Sequence, residues 1–175
     1  MLAALRHISF PVCAFVYVFS KNILNADPKL RFIDIIHEDE VFTPDLLLRC
    51  GETIVSNAVL YHRRVRKNSI MTTPASIKNV TGNLIASRKW LERARVVTGK
   101  KASVFRMQAH RFYGNAMRYT ARAEMDLGAV RAMVQKENPE FERFVTFDYF
   151  LSRFSRRAVA DFCNLRGQFL ERCGL

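Results

Sequence analysis

The sequence predicts an all-α protein, and three observations carry that expectation. Four prolines follow cap-forming residues, in Asp27-Pro28, Thr43-Pro44, Thr73-Pro74 and Asn138-Pro139. Such pairs mark helix starts, because the first helical position has no N–H bond to lose and the preceding side chain caps free N–H groups. Between these points apolar residues recur at three- and four-residue intervals, the period of one helix face. Alternating apolar and polar runs, the mark of a half-buried strand, are scarce. With a further start at Ser103 and an apolar N-terminal segment, the chain divides into five or six helices with no repeat and no low-complexity tract.

A chain of 175 residues that is 49% apolar, with 14 Phe, is expected to bury a real core in one domain. The expected organisation is an apolar membrane-anchor or targeting helix over 1–25 and a single basic helical domain over 26–175. Residues 8–19 are almost wholly apolar, between Arg6 and His7 on one side and Lys21 on the other. Extended to Leu2–Leu24, the run would reach about 34 Å as a helix, enough to cross a bilayer. Arg6, Pro11 and the short apolar core count against spanning. No small-x-small cleavage site follows, and no acid precedes Asp27, as in a mitochondrial presequence. The segment therefore reads as a retained anchor or targeting helix, with a buried core helix as the alternative.

From Pro44 to about Lys67 the spacing predicts a helix with Leu47, Ile54, Ala58, Tyr61 and Val65 on one face, ending in Arg63, Arg64, Arg66 and Lys67. Cations suit a helix C-terminus, but four exceed what the dipole requires. The next helix, about 74–97, turns Ile77, Val80, Leu84 and Leu91 inward and Arg88, Lys89, Arg93 and Arg95 outward around Trp90, before a basic turn at Gly99-Lys100-Lys101.

From Ser103 to about Lys136 the residues Phe105, Ala109, Phe112, Ala116, Tyr119, Ala123, Leu127, Val130 and Val134 fall within an arc of roughly 80°. Alternation of aromatics with Ala allows close helix approach. Arg111, Arg118 and Arg122 gather on another face, and Met107, Met117, Met125 and Met133 off the stripe form a second contact surface. The last helix, from Pro139 or Thr146 to Arg172, has its own stripe of Phe144, Phe147, Leu151, Phe154, Ala158, Phe162, Leu165 and Phe169. The two long helices read as an antiparallel hairpin joined near Glu137-Asn138-Pro139, packing stripe on stripe with Phe154 and Phe162 buried and some aromatic and Met surface left for another chain.

Charge is segregated along the chain. Residues 53–123 hold fifteen Lys and Arg against Glu92 alone, a surplus of +14, so the rest sums to −2 of the net +12. Arg outnumbers Lys twenty to eight, favouring the side chain that binds phosphate in a bidentate manner. The balance points to a polyanionic partner, either anionic lipid such as cardiolipin or rRNA. The candidate contacts are Arg63, Arg64, Arg66, Lys67, Arg88, Arg93, Arg111, Arg118 and Arg122.

No catalytic constellation, cofactor motif or metal-ligand spacing is found. His37-Glu38-Asp39-Glu40 lacks fixed ligand spacing and reads as a solvated loop before a helix, His62 and His110 have no ligand at i+4, and no phosphate-binding glycine motif occurs. Asn79-Val80-Thr81 matches a glycosylation sequon by chance. Cys13, Cys50, Cys163 and Cys173 contain no C-x-x-C pair and are expected to be free thiols.

Two local patterns resemble mitochondrial families. Cys163 and Cys173, with nine residues between them, resemble half of the twin C-x9-C pattern of small helical intermembrane-space proteins, but the second pair is missing. Leu60-Tyr61-His62-Arg63-Arg64 resembles the Leu-Tyr-Arg signature of small basic three-helix assembly proteins, with His in the third place and the motif near a helix end. No function is carried over from either. The expected function is a non-catalytic accessory subunit of a mitochondrial inner-membrane complex, ATP synthase or a respiratory-chain complex, contacting anionic lipid and neighbouring subunits and taking no small-molecule substrate. The alternative is a protein of the mitochondrial ribosome in the matrix, binding rRNA through residues 53–123.

Overall fold

The computed structural model describes residues 12–26, 28–62, 64, 69 and 73–172, the side chains of Arg156, Glu171 and Arg172 excepted. These residues are all-helical, with no strand among them. The helices are α1 (Lys21–Asn25), α2 (Asp39–Arg49), α3 (Ile77–Arg95), α4 (Gly99–Arg122), α5 (Leu127–Glu137), α6 (Val145–Phe154) and α7 (Arg156–Arg172), with 3-10 turns at Ala14–Val16 and Pro139–Phe144.

The long helix α4 is the axis of the bundle, with α3 along one side and α7 along another. α3 starts at Ile77, three residues after Pro74, because Ser76 and Asn79 form a reciprocal capping box. The matched sequon thus has a structural use at Asn79, whose side chain also accepts from the Ser76 N–H at 2.9 Å. α3 and α4 fold into an antiparallel hairpin through Gly99, whose φ of +61° lies in the left-handed region that glycine tolerates. Trp90 meets Phe105 edge-on at 5.3 Å, and the buried Ser87 hydroxyl donates to the Ala109 carbonyl at 2.8 Å. Val80, Leu84, Phe112 and Ala116 complete this core as expected, whereas Ile77 is exposed and Leu91 half-buried.

α7 approaches α4 unusually closely. A Cβ at Gly114 would lie 2.8 Å from the Cys163 Cβ and 3.3 Å from the Ala160 Cα, and one at Gly167 would lie 2.8 Å from the His110 Cβ. Only small side chains fit such a crossing, so the face of α7 turned inward is Val159, Ala160, Cys163 and Gly167. The expected stripe points the other way. Phe154 is 88% exposed, Phe169 63%, Leu165 62% and Phe162 39%. The stripe-on-stripe hairpin joined near 137–139 is therefore corrected. α7 does lie antiparallel to α4, but through its small residues.

Both expected long helices are broken, and each break has local chemistry. The Ser103–Lys136 helix is interrupted after Arg122, where Glu124 takes a φ of 52° and the Asp126 carboxylate caps α5 by accepting from the Ala129 N–H at 2.9 Å. The freed Met125 carbonyl accepts from the Tyr149 hydroxyl of α6 at 3.0 Å. Met117 is not part of a second surface, being fully buried. The last helix breaks at Ser155, whose backbone is extended and whose Oγ accepts from the Ala158 N–H at 3.2 Å. There α6 folds back on α7, bringing Phe147 within 5.2 Å of Phe162, centroid to centroid.

The N-terminal half differs most from expectation. Residues 1–11 lie outside the described residues, and 12–25 do not form one helix, because Tyr17 and Ser20 are extended and Ser20 caps α1. No described helix is long and apolar enough to cross a membrane. Instead Phe19, Ile23 and Leu24 pack on Leu30, Phe42 and Leu46 in a small second core, and the Ala14 N–H donates to Asp39 at 3.2 Å. Pro28 starts no helix, and Pro44 lies inside α2. α2 ends at Arg49, not near Lys67. Beyond it, residues 50–62 are non-helical, and Ile54, Val55, Val59 and Leu60 are 79–89% exposed. Gly51 and the β-branched Thr53-Ile54-Val55 are poor helix formers, and a Phe15–Tyr61 ring stack at 4.7 Å ties the described arm to the body.

A buried ion pair joins α6 to α7. Arg166 places two nitrogens on Asp148 at 2.8 and 2.9 Å, with the carboxylate wholly out of solvent. The guanidinium also lies 3.9 Å from the Phe144 ring centroid. Arg166→Met should destabilise the protein by about 3–5 kcal/mol by leaving Asp148 buried without a counter-charge, and adding Asp148→Leu should recover most of that loss in a denaturant melt.

Candidate interaction surfaces

The nine candidate polyanion contacts do not form one free basic face. Arg63, Arg66 and Lys67 lie outside the described residues, and Arg64 is on the exposed arm. Arg88 reaches Glu137 at 2.8 Å and Glu92 at 3.7 Å. Arg93 forks onto Asp45, with Nε–Oδ1 at 2.7 Å, bonds the Val41 carbonyl at 3.2 Å and covers the Trp90 ring at 4.7 Å. These two arginines hold α2 and α5 against α3, so they are structural pairs rather than free contacts.

Arg111, Arg118 and Arg122 do share a face of α4, but the chain supplies its own acids beside it. The 37–40 segment is packed rather than solvated, with His37 6.0 Å from Tyr119, centroid to centroid, and Glu40 opposite Arg111. Burial raises the Glu40 carboxyl, against the pull of Arg111. Burial likewise lowers Arg111, against the pull of Glu40. Arg118 reaches Asn115 at 3.5 Å, and the exposed Arg122 lies over the Tyr119 ring at 5.6 Å. Arg64, Arg118 and Arg122 are thus the candidates with no carboxylate partner described.

The groups with chemistry in the core are held inert. Tyr113 and Cys163 sit beside the Asp148–Arg166 pair, and the Cys163 thiol is pushed up to about 12, by burial first and then by the charge of Asp148. Tyr113 is raised for the same two reasons. At neutral pH neither supplies an anion for nucleophilic attack. Cys13, Cys50 and Cys163 are free thiols, as expected, while Cys173 lies outside the described residues. Among the described residues no three His, Cys, Asp or Glu side chains are grouped to hold a metal. An open surface depression of about 470 Å³ is lined by Arg131, Pro139, Glu140, Glu142, Arg143 and Thr146, with Arg131 on Thr146 and Arg95 on Glu140.

The surface that sequence reasoning misplaced is the most prominent. Phe147, Phe150, Phe154, Phe162, Leu165 and Phe169 form an exposed aromatic face across α6 and α7, made continuous by the Phe147–Phe162 contact. At roughly 200 Å² per fully exposed Phe, this face presents on the order of 700 Å², above the largest patch of a typical monomer. Its signal in the sequence was the small-residue line Ala160, Cys163 and Gly167 opposite the Phe stripe. No protein-family model matches this chain, and no curated protein or solved structure is detectably similar to it.

His37 combines a φ of 73° with a buried Nε2 that has no hydrogen-bond partner, and burial lowers its pKa below 6.5 against the opposing charge of Glu38. A depressed histidine gives stability that is full above its unfolded pKa and is lost as pH falls through the folded one. His37→Asn, which keeps a side chain tolerant of the left-handed backbone, should therefore flatten the loss of stability between about pH 7 and about pH 5 in thermal melts.

Proposed function

We propose that this chain is a non-catalytic accessory subunit of a mitochondrial inner-membrane complex, ATP synthase or a respiratory-chain complex, in contact with neighbouring subunits and anionic lipid. The observation that carries the proposal is the aromatic face of α6 and α7. A self-contained domain of this size has no use for five large Phe rings in water, whereas a subunit covers them on assembly. The exposed arm adds Ile54, Val55, Val59 and Leu60. The mitochondrial assignment is supported by the acid-free, basic and apolar first 26 residues, and the lipid contact by Arg64, Arg118 and Arg122.

A second reading, rRNA binding in the mitochondrial ribosome, is favoured by one feature. The exposed arm leads directly into Arg63, Arg64, Arg66 and Lys67, a basic cluster suited to phosphates. Against it, Arg88, Arg93 and Arg111 already face carboxylates.

Tagged full-length chain purified from mitochondria should bring down inner-membrane subunits and cardiolipin. Recovery of rRNA with ribosomal proteins, and no membrane subunit, would overturn the proposal in favour of the second reading. Phe154→Ser with Phe169→Ser should change the stability of the chain by only about 0.5 kcal/mol per site, since both are exposed, yet sharply reduce the co-purified subunits.

A further inference from the structure

We infer that the α6–α7 aromatic face is a membrane-contact element, lying in the plane of an anionic bilayer surface rather than crossing it; this rests on the subunit reading above and names what covers that face.

The geometry is that of an interfacial helix. Along α7 the positions 158, 162, 165 and 169 share an arc of roughly 60°, and α6 widens the surface with Phe147, Phe150 and Phe154. Phe is suited to the boundary between headgroups and acyl chains, and an in-plane helix needs only its apolar side immersed. The opposite side of α7 is fixed to α4 through Gly114 and Gly167, so the face is presented on a rigid support.

The charge around the face selects the occupant. Arg143 stacks on Phe144 at 4.7 Å and Arg153 on Tyr149 at 5.1 Å, and Phe150 lies 5.5 Å from Tyr149. Both arginine side chains are exposed with the guanidinium itself over the ring, and that of Arg153 also donates to the Met125 carbonyl and, at 2.9 Å, to the Tyr149 hydroxyl. Arg157 is 94% exposed, with only a 3.7 Å approach to Asp161. Asp148, the other carboxylate described on these helices, is buried and paired with Arg166. Arg157 also lies in the first turn of α7, where the helix dipole disfavours a cation and a phosphate would relieve it. A second copy of the chain would bring the same excess of exposed arginine over exposed carboxylate to the contact, which opposes self-association.

The test is flotation of the full-length chain at low concentration with vesicles of phosphatidylcholine alone or mixed with cardiolipin. Binding should be at least tenfold greater on the anionic vesicles. Phe154→Ser with Phe169→Ser should reduce it at least tenfold, and Arg157→Glu should reduce it on anionic vesicles, with the helical circular dichroism unchanged in each variant. Equal flotation of the double Phe variant, no flotation of the parent chain, or lipid-free dimers that the same variants dissolve would overturn the inference. Failure here with co-purifying membrane subunits intact would leave the subunit reading standing and assign the face to a protein neighbour.

Discussion

The arrangement of the C-terminal half depends on how closely α7 can approach α4. At Gly114 and Gly167 the two helices come so near that an added methyl would meet carbon at 2.8 Å. That separation admits Ala160 and Cys163 and excludes Phe. Everything else about α7 follows from the choice of inner face. Its periodic Phe stripe must point outward, Arg166 is carried inward beside Asp148, and Cys163 is pressed into the core, where its thiol is chemically quiet. A hydrophobic stripe is ordinarily evidence of a buried face, yet here packing density outranks hydrophobicity, because small-on-small contact brings backbones together and gains dispersion along the whole crossing.

This explains which parts of the fold were legible in the sequence. The helical class, the α3–α4 hairpin and the core made by Val80, Leu84, Phe105, Ala109 and Phe112 follow from periodicity, since each of those residues lies on one face and finds a partner within a short chain distance. The break after Arg122 and the break at Ser155 were not read, although Asp126 and Ser155 are capping residues. Their stripes continue in phase across the interruption, so periodicity alone shows a single helix. Residues 50–62 failed for a different reason: Ile54, Ala58 and Tyr61 have helical spacing, but among the described residues Ile54 and Ala58 are left exposed and only Tyr61 meets a ring, that of Phe15.

Charge was legible in amount and not in availability. The +14 surplus counts residues within a window of sequence, whereas pairing is set by the fold, and the acids that answer Arg93, Arg88 and Arg111 lie at Asp45, Glu137 and Glu40, all outside that window. The two-to-one preference for Arg fits this use as well as it fits a polyanion. Arg93 joins a carboxylate, a carbonyl and an indole ring at once, which a Lys ammonium could not do in the same plane. Part of the basic composition is therefore internal mortar between helices.

Two kinds of surface then remain for contact with other molecules, and they differ in what they demand. The cations left on α4 and the arm are hydrated and cost little when alone. The aromatic face is different, because apolar area in water is unfavourable by roughly 25 cal/mol per Å² at all times. A chain that keeps on the order of 700 Å² of such area across α6 and α7 has a free state considerably less favourable than its covered state. The small-residue crossing that forces the stripe outward also holds it in one orientation, so covering it requires little further ordering of α7, and most of the apolar gain remains for binding.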